Sequence, residues 1–150
     1  MCYKTVLSTS SGCDLQVFNT PLLRFEREMP GVPEEAHLRY PHRWFVGSQY
    51  GCSCGFRHLT SYEFGFAAPE DWMPEDADDI TASLQLVAVC RSLLQAGEQL
   101  DCIDAWTDDE PRADAHVEAL VVELGSLADA QFRLFAGYRF DLRSTDTQRC

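Results

Sequence analysis

The chain has 150 residues and a formal net charge of −12, a size that suits one domain with a substantial buried core. The acidic balance disfavours binding to nucleic acids or to anionic membrane surfaces, because both need a concentrated basic surface. With 45% hydrophobic residues and no apolar run of about 18 residues, the composition excludes a disordered chain and predicts no membrane helix.

The first half of the chain is predicted to be rich in strands. Four β-prone segments cover residues 3–9, 14–18, 22–27 and 43–46. Prolines separate these segments and stop any long helix from forming between them. We therefore expect short strands that pair as hairpins.

A helix is predicted over residues 79–96. Aspartates precede it and can cap its first free N–H groups, while Gly97 follows it at the position that favours a helix end. Its apolar residues cover a wide face, which predicts extensive burial.

The last third of the chain is predicted to be a β-α-β unit: a strand over 100–106, a second helix over 111–124 and a strand over 131–143. Pro111 and Gly125 lie where a helix would begin and end. The two strands would then be parallel neighbours joined by a right-handed crossover, unless they belong to different sheets. We predict an α+β fold in a single domain, 1–150, with a mixed sheet and two main helices mainly on one face.

The seven cysteines and the start of the chain predict a cytoplasmic location. The first residues have no apolar stretch of the kind found in a signal peptide. An odd number of cysteines in a reducing compartment indicates buried apolar residues, metal ligands or reactive thiols rather than a disulfide framework.

A segment free of carboxylates surrounds the closest cysteine pair. Residues 36–62 contain no aspartate or glutamate, although the chain has 24 of them. Within this segment lie both close cysteines, three arginines and three histidines: Cys52, Cys54, Arg39, Arg43, Arg57, His37, His42 and His58. We therefore predict a local cationic site, which would favour thiolates and bind a small anionic ligand.

One interpretation of this segment is a metal site. Cys52 and Cys54 would supply two thiolates, His58 or His42 a nitrogen, and Cys13 or Cys2 a further sulfur, which together suit tetrahedral zinc. The glycines at 51 and 55 permit a tight turn. The C-x-C spacing supports this hypothesis only loosely, because zinc knuckles usually have C-x-x-C.

A second interpretation is a small thiol-dependent redox or transfer enzyme. Cys52 and Cys54 would be its reactive pair, His58 or His42 its base, and the arginines would hold an anionic substrate. A third interpretation gives the segment no chemistry: it would be a glycine-rich hairpin between residues 44–46 and a strand near 62–66, with the cysteines as small apolar residues.

The acidic clusters at 70–79 and 101–110 favour a different class of function. They could dock a basic partner, with Trp72 as a contact residue, in an acidic interaction or inhibitor protein. Our leading hypothesis is a non-enzymatic domain that binds a protein partner or a small ligand at its cationic Cys/His site, around residues 37–58, with zinc as a candidate structural metal there. The sequence indicates no oligomeric state.

Overall fold

The computed structural model describes residues 2–59, 65–107 and 116–144. These residues form one six-stranded sheet and one long helix. The elements are β1 (Cys2–Thr9), β2 (Arg24–Glu26), β3 (His42–Gly47), α1 (Ala77–Gln95), β4 (Leu100–Thr107), β5 (Glu118–Glu123) and β6 (Tyr138–Arg143). Short 3₁₀ turns lie at Leu15–Phe18, Pro33–His37 and Asp129–Gln131.

β1 lies in the interior of the sheet, whose strand order is β2-β3-β1-β4-β6-β5. It pairs antiparallel with β3 on one side and with β4 on the other. Its register with β4 runs from Cys2 opposite Thr107 to Thr9 opposite Leu100. Only β5 and β6 are parallel, so the sheet is mixed, which confirms the predicted α+β class.

The 19-residue helix α1 (Ala77–Gln95) begins two residues before the predicted start at 79 and ends one residue before the predicted end at 96. The Asp76 side chain accepts a hydrogen bond from the Asp78 amide and caps the first turn. At the other end Gly97 has a φ of 86°, and the Glu98 amide donates back to the Leu93 carbonyl at 3.1 Å, as in a Schellman motif. No helix among the described residues combines the length and the apolarity that a membrane crossing requires.

The main core lies between α1 and one face of the sheet. Leu7, Cys102 and Phe140 are neighbours on adjacent strands, and all three belong to the same buried cluster as Leu86 and Cys90 of α1. Side chains alternate along a strand, so the next register pair, Val6 and Ile103, faces the other way. There a smaller buried cluster includes Val32 and Leu38, which come from the segment between β2 and β3.

The predicted second helix over 111–124 is wrong where the structure describes it. Residues 118–123 form β5, and residues 111–115 lie outside the described ranges. The stretch Leu-Val-Val within β5 suits a strand. Its pairing with β6 outweighs the helix start and end signals at Pro111 and Gly125. The predicted parallel arrangement of β4 and β6 is also wrong, since these strands are antiparallel.

Two predicted strands are shorter or absent. Residues 15–18 form a 3₁₀ turn capped by Asp14 instead of a strand, because the Asp14 carboxylate accepts the Gln16 amide. Of the predicted strand over 131–143, only Tyr138–Arg143 joins the sheet. Gly137 has a φ of 92° and separates it from the preceding residues, where Leu134 instead pairs with the backbone around His58.

Candidate functional site

The loop after β3 continues along β1 in place of a strand. β3 pairs with β1 only between Thr5 and Thr9. Beyond that point the Ser53 amide donates to the Tyr3 carbonyl at 3.1 Å, and the Tyr3 amide donates to the Cys54 sulfur at 3.3 Å. The loop therefore supplies the hydrogen-bond partners that β1 needs where β3 has ended.

Ser53, between the two cysteines, is the most firmly held residue of this loop. Its hydroxyl accepts the Thr5 amide at 2.8 Å and donates to the Val46 carbonyl at 2.5 Å. Its carbonyl lies 2.8 Å from His58 Nε2. Ser53 is fully buried, so the backbone on either side of it has little freedom to move.

The loop also needs its glycines, as the sequence indicates. Gly51 has a φ of 76°, which L side chains rarely adopt. A Cβ placed on Gly55 would lie 2.6 Å from the Ser48 hydroxyl. That hydroxyl donates to the Cys52 carbonyl at 2.7 Å and accepts the Gly55 amide at 3.0 Å, which closes the turn.

Three thiols converge where the loop meets the beginning of β1. The sulfurs of Cys2, Cys52 and Cys54 all lie within 4.8 Å of one another, and each of these residues is partly exposed. The sequence predicts the participation of Cys52 and Cys54 but leaves open whether Cys2 or Cys13 joins them. The pairing of the loop with β1 brings in Cys2.

The three thiols do not have equal acidities. Burial and a hydrogen bond with Cys52 raise the pKa of Cys54 to about 12. Burial also opposes ionisation of Cys52, but hydrogen bonds involving Cys54 and Cys2, together with the charge of Lys4, outweigh it and lower the pKa of Cys52. Cys52 is therefore the sulfur best suited to carry the first negative charge.

His58 does not join the three sulfurs, although the sequence marks it as a candidate ligand or base. Its ring stacks on Tyr3 with centroids 3.7 Å apart. Nδ1 lies 3.0 Å from a carboxylate oxygen of Asp104, whose other oxygen accepts the Thr5 hydroxyl at 2.9 Å. Since Nε2 faces the Ser53 carbonyl, both ring nitrogens are already engaged. His58 thus positions the loop rather than facing the thiols.

The other proposed ligands lie at the far end of β1. Thr9 opposes His42, and Ser8 opposes Arg43, so both residues are separated from Cys2 by roughly 20 Å or more of extended strand. The Arg39 amide donates to Asp101, which is also opposite Ser8. Cys13 is exposed and follows the end of β1 at Thr9. Neither Cys13 nor these cationic residues join the sulfurs.

Arg57 is buried and paired instead of being available to an anionic ligand. Its guanidinium makes two hydrogen bonds to the Glu75 carboxylate, at 2.9 and 2.8 Å. Arg133 binds the same carboxylate. The predicted cationic neighbourhood does not form, because Glu75 and Asp104, from outside the carboxylate-free segment, lie beside Arg57 and His58.

The two predicted acidic clusters differ in exposure in the folded chain. Asp101 and Asp104 are fully buried in β4 and serve as internal acceptors, so they offer no docking surface. In the other cluster Trp72 is 70% exposed, while Glu75 binds the two arginines. Residues 60–64 and 108–110, which complete the predicted hairpin and the second acidic cluster, lie outside the described ranges.

Comparison with protein-family models, with curated proteins and with solved structures finds no match to this chain. Three neighbouring thiols can coordinate a soft metal ion, or two of them can exchange electrons as a dithiol.

The hydrogen bonds of Ser53 lead to the first prediction. Ser53→Ala leaves the Thr5 amide and the Val46 carbonyl without their buried partner, so we expect the free energy of unfolding to fall by about 1–3 kcal/mol. Urea denaturation measures this change. Gln49→Ala, an exposed position in the same loop, is the control and should change little. Equal stability of the two variants would contradict the anchoring role.

The Arg57–Glu75–Arg133 cluster leads to a second prediction, on pH. Burial favours the neutral acid, but the two guanidiniums prevail and hold the pKa of Glu75 below its ordinary value of 4.5. The stabilisation is therefore present above pH 4.5 and is lost as the pH falls through the lower value of the folded state. Glu75→Gln should cost about 3 kcal/mol at neutral pH.

Urea denaturation at neutral pH and near pH 3 tests this expectation, since the difference between Glu75→Gln and the unaltered protein should shrink on acidification. Glu28→Gln, at an exposed position, should show almost no difference at either pH. A cost for Glu75→Gln that does not change with pH would contradict the proposed charge pairing.

Proposed function

We propose that this protein is a metal-binding domain rather than an enzyme, and that Cys2, Cys52 and Cys54 hold a zinc ion. The observation that carries the proposal is the convergence of three sulfurs within 4.8 Å. They come from two segments about 50 residues apart, so local sequence cannot explain their proximity. Soft thiolate donors favour zinc over the hard cations that prefer oxygen ligands.

The sulfur triangle has nearly the right size. With a Zn–S bond of about 2.3 Å, tetrahedral coordination places sulfurs about 3.8 Å apart. The observed separations of at most 4.8 Å therefore require each sulfur to move by no more than about 1 Å. Rotation about χ1 can supply this movement while the backbone at Ser53 stays in its hydrogen bonds.

The charge around the thiols supports the same ion. Three thiolates with Zn²⁺ leave one negative charge, which Lys4 and the Tyr3 amide, donating to the Cys54 sulfur, partly offset. Zinc must displace the protons of all three thiols, so its affinity should rise with pH. Because the pKa of Cys54 is about 12, removing its proton is the main free-energy cost of zinc binding.

A bound ion would fasten the loop at 48–59 to the beginning of β1. It would add to the hydrogen bonds of Ser53 and Tyr3, and would thereby stabilise the folded protein over the unfolded chain. Such a site needs reduced thiols, which supports the cytoplasm as its location. All the cysteines in the described residues are free.

Zinc content is the third prediction and the test of this function. Protein purified without chelator should contain about one zinc per chain, and Cys2→Ser should weaken zinc binding at least about 100-fold, because a direct ligand is lost. Cys13→Ser removes an exposed cysteine outside the cluster and should bind zinc normally. Elemental analysis and competition with a chromogenic chelator measure both quantities.

Two outcomes would contradict the metal site. One is zinc-free protein that also fails to take up added zinc. The other is a Cys13→Ser variant that loses zinc as completely as Cys2→Ser, since zinc would then be bound elsewhere. X-ray absorption of the loaded protein should show a first shell dominated by sulfur.

A second candidate function is thiol-dependent redox or transfer chemistry with Cys52 as nucleophile. It is favoured by the opposite pKa shifts within the cluster, since Cys52 ionises more readily and Cys54 less readily than an ordinary thiol. A thiolate with a neighbouring thiol that keeps its proton is the arrangement of an attacking and a resolving sulfur.

The fourth prediction concerns the rate at which Cys52 is alkylated, which distinguishes a reactive thiol from a purely structural metal site. In zinc-free protein, Cys52 should react with iodoacetamide faster than exposed Cys13 at pH values below 9, because its lowered pKa leaves more thiolate there. Mass spectrometry of the alkylated peptides measures each rate. If Cys52 reacts no faster than Cys13, the enzyme hypothesis loses its support.

A further inference from the structure

We propose that the same three sulfurs form a peroxide-sensitive switch, in which oxidation joins Cys2 to Cys52 by a disulfide bond and releases the zinc ion. This inference rests on the proposed metal-binding function, because the released ion is the one that the three thiols hold. It adds a defined linkage and a defined oxidant.

Cys52 lies close to both other thiols, Cys2 and Cys54. A disulfide requires two sulfurs to approach to about 2.05 Å, and the sulfurs already lie within 4.8 Å. Either neighbour is therefore near enough for bonding after a modest side-chain movement, so the surroundings decide between them.

A bond between Cys52 and Cys54 is disfavoured by the residue between them. Such a bond would close a very small ring through Ser53 and would strain the disulfide geometry. The Ser53 backbone cannot easily change its conformation. Its amide is hydrogen-bonded to β1, its hydroxyl to β1 and β3, and its carbonyl lies at hydrogen-bond distance from His58. Closing this ring would break buried hydrogen bonds of the loop.

Cys54 is also held by its contact with β1. Its sulfur accepts the Tyr3 amide, and a bond from Cys54 to Cys2 would pull the sulfur from that donor. Cys2 and Cys52 lie on different segments, so a bond between their sulfurs closes no small ring and leaves the Tyr3 amide on the Cys54 sulfur. A Cys2–Cys52 disulfide would close a loop of about 50 residues, because the two cysteines are far apart in the sequence. Closing so long a loop does not require the hydrogen bonds of Ser53 and Tyr3 to break.

The reaction is balanced with hydrogen peroxide as oxidant. The Cys52 thiolate attacks one peroxide oxygen, so that an S–O bond forms, the O–O bond breaks and hydroxide leaves and takes up a proton. The Cys2 sulfur then attacks Cys52, forming the S–S bond and expelling a second water. The two zinc-bound thiolates lose two electrons, the solvent supplies two protons, and one peroxide becomes two waters.

Exposure and proximity together restrict the reaction to this cluster among the described cysteines. Cys2 and Cys54 are partly exposed and Cys52 is the most enclosed of the three, whereas Cys90 and Cys102 are buried in the main core. Cys13 is exposed but lies outside the sulfur cluster. Oxidation removes two thiolate ligands at once, and a disulfide sulfur binds zinc poorly, so the ion should leave.

The test uses zinc-loaded protein in which Cys13→Ser removes the exposed cysteine outside the cluster and Cys150→Ser removes the cysteine that lies outside the described ranges. After treatment with hydrogen peroxide, free thiols are alkylated and the protein is cleaved with trypsin. Cleavage after Lys4 releases Cys2 on its own peptide, but Cys52 and Cys54 share the peptide 44–57. Fragmentation of the linked pair must therefore show which of the two carries the alkyl group.

We expect a Cys2–Cys52 linkage with alkylated Cys54, loss of about two thiols per chain, release of zinc to a chromogenic chelator, and recovery of the thiols with a dithiol reductant. Cys54→Ser should still form the linkage, whereas Cys52→Ser should not. Circular dichroism of both variants shows whether they are folded, and mapping of the unaltered cluster does not depend on either of them.

The possible failures can be told apart. Protein that carries no zinc before peroxide is added contradicts the metal-binding function at that step. Zinc-loaded protein that yields mainly Cys52–Cys54 or Cys2–Cys54, or only sulfinic acid without a disulfide, overturns the switch and leaves the metal site standing. Zinc retained after the Cys2–Cys52 bond has formed overturns the switch as well.

Discussion

The structure around the thiols depends on one constraint, which is that β1 is longer than β3. Where β3 ends at Gly47, the backbone of Tyr3 and Thr5 still needs partners, since buried amides and carbonyls are rarely left unpaired. The loop at 48–59 meets this need with the Ser53 backbone and side chain and with the Cys54 sulfur. The cysteines converge because the loop pairs with β1 at this point.

Buried charge pairs are the second organising feature, and three of them join distant parts of the chain. Glu75 binds two arginines, Asp104 faces His58, and Asp101 accepts Arg139. A buried charge without a partner is costly, so these contacts constrain how the strands, the loop and the segment before α1 fit together. They also explain how a chain of net charge −12 has an interior with cationic groups.

Sequence reasoning recovers the features that local chemistry determines. The strands β1, β2, β3 and β4 and the helix α1 each carry their own periodicity and end signals, and the structure confirms them. β5 differs because its residues fit either a helix or a strand, and only the parallel pairing with β6 decides. The 3₁₀ turn after Asp14 reflects a side-chain cap that competes with strand formation.

In the candidate site, too, some features follow from local sequence and others only from tertiary contacts. The turn around Cys52 and Cys54 and its glycines can be recognised from sequence, but the third sulfur depends on the register of the loop along β1. The predicted cationic site failed for a related reason: the absence of carboxylates within residues 36–62 says nothing about carboxylates that tertiary folding brings from elsewhere. Glu75 and Asp104 are such residues.

The position of Cys2 has a consequence for how the site would respond to motion. Cys2 occupies the last register pair of β1 with β4, opposite Thr107, and the terminal pairs of a strand open far more often than its middle. Fraying of this single pair would separate Cys2 from the other two sulfurs without unfolding the core. Exchange of the proposed zinc ion would then follow local opening of the sheet end, on a much faster timescale than global unfolding.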